Sequence, residues 1–231
     1  MKKIGMLGGM SWESTVNYYK LINEGVRERL GGLHSAEILM YSVDFHEIER
    51  LQNEGLWGRM GEMLSRSAMK LERAGADFIV ICTNTMHKVA PAIEDSVDVP
   101  LLHIADATGR AVRRQAIKTV GLLGTAFTME QEFYKGRLED VHDLNVITPT
   151  KNDRKIVHDV IYKELCMGIT RDESRRRYID IIDDLAERGA EGVILGCTEI
   201  GMLVNQEDTK LDLFDTTAIH ADAAVEFALE D

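Results

Sequence analysis

The sequence predicts an α/β protein built as two similar halves, each a parallel sheet with covering helices, and three observations carry that prediction. Short runs rich in Ile, Val and Leu alternate with stretches of helical periodicity, the pattern of strand–helix–strand units with right-handed crossovers. The stretch GADFIVICTNT at 75–85 returns 114 positions later as GAEGVILGCTE. In the same order, KIGMLGGMSWES at 3–14 returns as TVGLLGTAFTME at 119–130, a shift of 116. Two matches at nearly one offset predict a duplication, with halves of about a hundred residues each, an ordinary domain size.

The strands expected in order are KIGML (3–7), EILMYS (37–42), DFIVI (77–81), TVGLL (119–123) and GVIL (192–195). None alternates polar with apolar residues, so each is expected to be covered on both faces. Over 57–74, Met60, Met63, Leu64, Ala68 and Leu71 recur at three- and four-residue spacing, a helix that Gly75 stops. Thr128 with Gln131, and Thr170 with Glu173, have capping-box spacing and predict two further helix starts. The stretch TTAIHADAAVEFALE predicts a closing helix. No Pro- or Ser-rich linker separates the halves, and the repeat puts their join near residues 104–116. The expected domains are 1–105 and 106–214, with the closing helix, about 215–231, packing back on the first.

The 231 residues are 45% hydrophobic, enough for a substantial core. With 27 Lys and Arg against 39 Asp and Glu, the formal charge of -12 repels phosphate backbones and anionic lipid surfaces, so neither nucleic acid nor membrane is an expected partner. The N-terminus does not read as a signal peptide, and no apolar run approaches the roughly 20 residues of a membrane-spanning helix. A soluble, cytoplasmic protein is expected. Cys82, Cys166 and Cys197 are too few and too scattered for a disulfide framework or a zinc site.

Ligands of open parallel sheets bind beyond the carboxyl ends of the strands, where free backbone N–H groups point outward. Four small, hydroxyl-rich loops occupy that position: GGMS (8–11, with Met10), TNT (83–85, with Asn84 and Thr85), GTAFT (124–128, with Thr125 and Thr128) and CTE (197–199, with Thr198). Such loops suit a carboxylate or a phosphate. If the halves face each other about a pseudo-twofold axis, Thr83 and Cys197 approach one ligand from opposite sides. Cys197, at a strand end and helix start, is the candidate reactive thiol, its pKa expected to be lowered by the local dipole. Cys82 is one place out of register and is expected to be a buried structural residue. The glycines of GMLGGMS do not form GxGxxG, so no dinucleotide is implied. DFHEIER has Arg50 where HExxH needs its second histidine, and the seven histidines show no ligand spacing, so no metal is expected.

IGMLGGMSWEST at the start, CTNTMH in the first half and GCTEIG in the second resemble the aspartate/glutamate racemases that need no cofactor. The resemblance runs over essentially the whole chain, and GGMSWEST, GGLHSA, DFHEIE and TNTMHKVA are similar to the bacterial broad-specificity amino-acid racemases within that family. It implies two Rossmann-like domains related by a pseudo-twofold axis, with the active site in the cleft between them. It further implies a two-base racemisation of a small-molecule amino acid, one group removing the α-proton and another returning a proton to the opposite face. Backbone amides and Thr hydroxyls would stabilise the carbanion.

The chain departs from the family pattern where a thiol normally precedes Asn84 and Thr85: the residue there is Thr83. Cys166 stands where many members carry a lysine for the substrate's distal carboxylate. Gln52 stands without a clear arginine in the loop following the second strand. Together these imply a less acidic side-chain preference, so the expected substrates are aspartate and glutamate or a broader range such as homoserine. By the resemblance, Cys197 as thiolate deprotonates one enantiomer, Thr83 reprotonates the opposite face, and the L-form reacts fastest. The alternatives are a related thiol-dependent decarboxylase or hydantoin racemase, or a non-catalytic amino-acid-binding homologue. A homodimer is the expected assembly.

Overall fold

In the computed structural model, which describes residues 1–230, the chain divides into two compact units. The first comprises Met1–His103 and the residues from His220 onward, and the second Ile104–Ile219.

The first unit runs β1 (Ile4–Gly8), α1 (Trp12–Leu30), β2 (Ile38–Ser42), α2 (Phe45–Asn53), α3 (Trp57–Arg73), β3 (Phe78–Ile81), α4 (Ala90–Glu94) and β4 (Leu101–Leu102). Its sheet is wholly parallel in the order β2-β1-β3-β4. Strand alternation divides the apolar residues between two cores. Leu7, Ile79 and Ile81 pack with α3 residues such as Leu64 and Ala68. Ile4, Met6, Phe78, Val80 and Cys82 face the other way, against Tyr18, Ile22 and Val26 of α1. The expected helix over 57–74 is present, with Met60, Leu64, Ala68 and Leu71 buried, and Gly75 past its end adopts φ 98°.

The second unit contains α5 (Ile104–Arg114), β5 (Thr119–Gly124), α6 (Ala126–Glu130), α7 (Lys135–His142), β6 (Asn145–Ile147), α8 (Lys151–Lys163), α9 (Asp172–Glu187), β7 (Gly192–Gly196) and β8 (Asp212–Asp215). Its parallel sheet has the order β6-β5-β7-β8, the same topology as the first. The last helix, α10 (Thr216–Leu229), carries Ala221, Ala224, Val225 and Ala228 into the core of the first unit. It approaches α1 closely at Gly25, where a Cβ would stand 3.1 Å from Val225.

Three expectations need correction. Thr128 does not open a helix: Thr125 is the N-cap of α6, its hydroxyl accepting from the Thr128 amide. Thr170 does not cap α9 either, which begins after Arg171 without a side-chain cap. The apolar run at 37–42 forms a strand, but β2 is an edge strand and only partly covered, with Met40 exposed. The short edge strands β4, β6 and β8 lack a long apolar run, which is why periodicity did not reveal them.

Candidate active site

In each unit the chain turns from β1 to β2 on one side and crosses to β3 on the other, so the topological switch point lies between the two central strands. The GGMS and TNT loops follow β1 and β3. The GTAFT and CTE loops follow β5 and β7. All four sequence-selected loops thus stand at the carboxyl ends of central strands.

Strand register fixes which residues are counterparts. Leu7 pairs with Ile81 in the first unit and Leu123 with Leu195 in the second. Leu7 and Leu123 are equivalent in the repeat, so Ile81 matches Leu195, and two residues on Thr83 matches Cys197. Cys82, fully buried on the α1 side of its sheet, matches Gly196. Burial alone pushes the Cys82 thiol far up, out of reach of ionisation at neutral pH.

In the GGMS loop, Thr15 Oγ1 accepts from the Gly9 amide at 2.9 Å and donates to the Ser11 carbonyl at 2.7 Å, while Ser11 caps α1. Gly8 must lack a side chain, since a Cβ there would lie 2.4 Å from Thr15 Cγ2. The Met10 side chain packs in the apolar core with Ile48 and Met86, so only its main chain is available at the loop. Gln52 is not in a loop: it is buried on α2, and its amide donates to Met86 Sδ at 3.2 Å, bracing the turn that follows TNT.

Thr83 is 8% exposed, and its hydroxyl makes no hydrogen bond among the described residues, so it is free to address a ligand. The Thr83 carbonyl accepts from His87 Nδ1 at 2.8 Å. Asn84 and Thr85, both buried, start the turn that carries His87. Three histidines that sequence spacing left scattered meet behind this loop, with His87 ring centroids 4.5 Å from His103 and 5.8 Å from His220. His220 Nε2 donates to the Leu102 carbonyl at 2.8 Å, and its Nδ1 is hydrogen-bonded to the Tyr18 hydroxyl at 2.9 Å.

The second unit holds a stronger proton-handling group. Cys197, also 8% exposed, donates its Sγ–H to Glu199 Oε2 at 2.9 Å, and the Thr198 hydroxyl donates to the same oxygen at 2.9 Å. Thr198 therefore holds the carboxylate in place. Burial, and after it the Glu199 charge, push the Cys197 thiol well above its ordinary pKa. The expectation of a dipole-lowered thiol is overturned: only a three-residue turn, Ile200–Met202, follows the loop, and a buried carboxylate faces the sulfur. Glu199 is a further candidate residue, one that strand-end position did not single out although it stands in the quoted CTE motif. Cys166, on the turn Leu165–Met167, lies close enough to raise the Cys197 thiol further.

Thr128 is fully buried with its hydroxyl 3.2 Å from that of Thr125, and its methyl packs beside Gly196, so it supports the loop. His158 Nδ1 accepts from the Ala126 amide at 3.1 Å, and burial lowers its pKa, keeping the ring a neutral acceptor. The start of α10 closes the far side: Thr216 donates to the Leu195 carbonyl at 2.8 Å, and Thr217 to the Thr198 carbonyl at 3.3 Å. Among the described residues, no group of three His, Cys, Asp or Glu side chains is arranged to hold a metal ion. No helix among them is long and apolar enough to cross a membrane.

A sequence model of the family described as Asp/Glu/Hydantoin racemase matches residues 7–224. The broad-specificity amino-acid racemase RacX of Bacillus subtilis is 23% identical, over 96% of this chain and 96% of that protein. A crystal structure of a candidate Asp/Glu racemase from Yersinia pestis is 55% identical, with a TM-score of 0.93 and all of both chains covered. An aspartate racemase homologue from Pyrococcus horikoshii is 35% identical, again over all of both chains, with a TM-score of 0.86.

Proposed function

The chain belongs to the Asp/Glu/hydantoin racemase family, and from that premise we propose that it is a cofactor-independent isomerase interconverting the L- and D-forms of an amino acid. The observation that carries the reading is the Cys197–Glu199 contact, set at the register counterpart of Thr83. The thiol rests protonated. For the forward reaction its proton passes to Glu199, the thiolate sulfur takes the α-proton, and the electron pair of the broken C–H bond spreads into the substrate carboxylate. The Thr83 hydroxyl returns a proton to the opposite face and is refilled from solvent water, and Glu199 releases the original thiol proton to that water, which restores the carboxylate. Loop amides and the Thr125 hydroxyl suit the carboxylate on which charge develops.

Thr83 is a far weaker acid than a thiol, so it serves better as proton donor to a carbanion than as base. Proton removal is accordingly the favoured role of Cys197, and the family resemblance, not acid strength, pairs that role with the L-form. Neither Cys166 nor Gln52 carries a positive charge, which supports a substrate range beyond aspartate and glutamate, homoserine included. Three free cysteines, one of them chemically active, fit a reducing cytoplasmic setting and a role in supplying or recycling D-amino acids.

The test is incubation of a panel of L- and D-amino acids in D2O, followed by proton NMR. Deuterium entering the α-position with loss of optical activity is the expected result. Release of CO2 would assign the chain to decarboxylation, and neither signal would mark a binding protein. Cys197→Ala should abolish the wash-in for every active substrate, and its survival would sink the assignment of this thiol.

A further inference from the structure

We infer that His87 is a positioning residue that commits the carbanion to inversion, by holding Thr83 where its hydroxyl meets the substrate. The inference rests on the racemase reading above. Three of the seven histidines, His87, His103 and His220, are buried together behind the TNT loop. Burying a polar ring costs free energy unless its nitrogens find partners, and apolar side chains would fill the same space without that cost. What the imidazole of His87 adds is a donor aimed at one place.

That place is the Thr83 main chain. Its carbonyl accepts from His87 Nδ1 at 2.8 Å, and its amide donates to the Ile81 carbonyl at 2.9 Å. Both main-chain groups of Thr83 are thereby fixed, and a β-branched side chain has few χ1 choices left. The hydroxyl is aimed by the backbone. His87 is held in its turn, with its amide donating to the Asn84 carbonyl at 3.1 Å and its ring centroid 4.5 Å from that of His103 and 5.8 Å from that of His220. His220 is fastened at both ring nitrogens, to the Leu102 carbonyl and the Tyr18 hydroxyl. Residues of α1, β4 and α10 therefore back the one side chain that grips the Thr83 carbonyl.

The consequence concerns the step after the α-proton has left. The electron pair of the broken C–H bond lies in the substrate carboxylate, and the α-carbon accepts a proton from either face. Return from Cys197 rebuilds the C–H bond with retention, and in D2O it delivers deuterium once the sulfur-bound proton has exchanged with solvent through Glu199. Donation from Thr83 builds the bond with inversion, and the alkoxide left behind takes a proton from water. The hydroxyl is much the weaker acid, so it competes with the thiol only where it is held in place. A misplacement of about 1 Å costs a reacting group about a hundredfold. A Thr83 released by His87 should therefore lose inversion while exchange through Cys197 runs on.

The test follows deuterium and configuration together on the full chain in D2O, with both enantiomers of homoserine, aspartate and glutamate as probes, chiral chromatography to separate them and mass spectrometry to read the label in each. Asn and Leu share a branched outline, and only Asn has a donor where Nδ1 of His87 stands. In His87→Leu, inversion should fall at least about tenfold through kcat, with KM little changed. Starting from the enantiomer whose α-proton faces Cys197, deuterium should still enter the recovered starting material at close to the wild-type rate. Starting from its mirror image, exchange and inversion should fall together. His87→Asn should restore most of the inversion. Nitrogen-15 NMR of labelled histidines in the wild type, which needs no variant to fold, should show Nδ1 of His87 carrying its proton. A His87→Leu chain that inverts as fast as wild type would overturn the inference. So would equal loss of exchange and inversion from both enantiomers, an Asn variant no better than the Leu one, or an unprotonated Nδ1. A wild type without wash-in from any probe would instead sink the racemase reading, and this inference with it.

Discussion

Glu199→Gln separates the two things a carboxylate beside a thiol can do. The carboxylate is buried and sits 2.9 Å from Cys197 Sγ, in direct hydrogen-bond contact. Glutamine keeps the shape and still accepts through its carbonyl oxygen, but it cannot take up the thiol proton. Loss of a positioned general base costs about 10²- to 10⁴-fold. At about 1.36 kcal/mol per tenfold, that is roughly 3–5 kcal/mol of barrier. The α-proton wash-in rate in D2O should therefore fall by at least about a hundredfold. Removing the negative charge also removes one cause of the raised thiol pKa, so the Cys197 titration should move down even as activity falls. Thiolate absorbance against pH, taken as the difference from a Glu199→Gln/Cys197→Ala double variant, isolates that thiol. A wash-in rate within about threefold of wild type, or a thiol midpoint that rises, would refute the pairing.

Thr83→Cys should change kcat/KM for the L- and D-forms by one common factor, because enantiomers have equal free energy. Unequal factors, measured by polarimetry in both directions, would rule out simple racemisation. His158→Phe leaves the Ala126 N–H without its acceptor and should cost about 1–3 kcal/mol in urea unfolding at pH 7.5. His158 has a lowered folded pKa, so its contribution is present above the unfolded value near 6.5 and is lost as pH falls through the folded one. The acid-side slope of stability should be shallower in the variant than in wild type. Cys82, Tyr134 and Tyr178 are buried with pKa values pushed up chiefly by desolvation. Above the unfolded values, about 8.5 for Cys and 10 for Tyr, the unfolded chain sheds protons that the folded chain keeps. Stability should thus fall from about pH 8.5 upward, and melting curves in which Cys82→Ala leaves the first part of that fall unchanged would contradict the account.

The central strands were legible because each carries an apolar run covered on both faces, and that coverage is written in composition. β2 has the same composition without the coverage. Local sequence does not say whether a strand lies at an edge, and the absence of charge in ILMYS invited the buried reading. The helix starts at 128 and 170 failed for another reason. Capping-box spacing recurs by chance wherever hydroxyls and Glu or Gln are common, and at GTAFT the preceding Thr125 had the better geometry. Met10 and Thr128 share a third limit, and Gln52, inside α2, shares its second part. Position at a strand end places a residue in the loop layer, while the direction of its side chain depends on neighbours such as Met86 and Gly196, which lie far away in sequence.

Glu199 shows what side-chain contacts add to a repeat. Sequence alignment alone makes Thr83 and Cys197 counterparts and suggests that one thiol was lost. The repeat itself, with which register agrees, pairs the next residues but one, Thr85 in the first unit and Glu199 in the second. The acceptor is missing together with the thiol, and in its place His87 holds the Thr83 carbonyl while the hydroxyl stays open. The thiol comes with a carboxylate beside it, and the hydroxyl comes without one. The two halves therefore differ as matched pairs, which is the pattern expected of an asymmetric proton transfer and not of a site decaying one residue at a time.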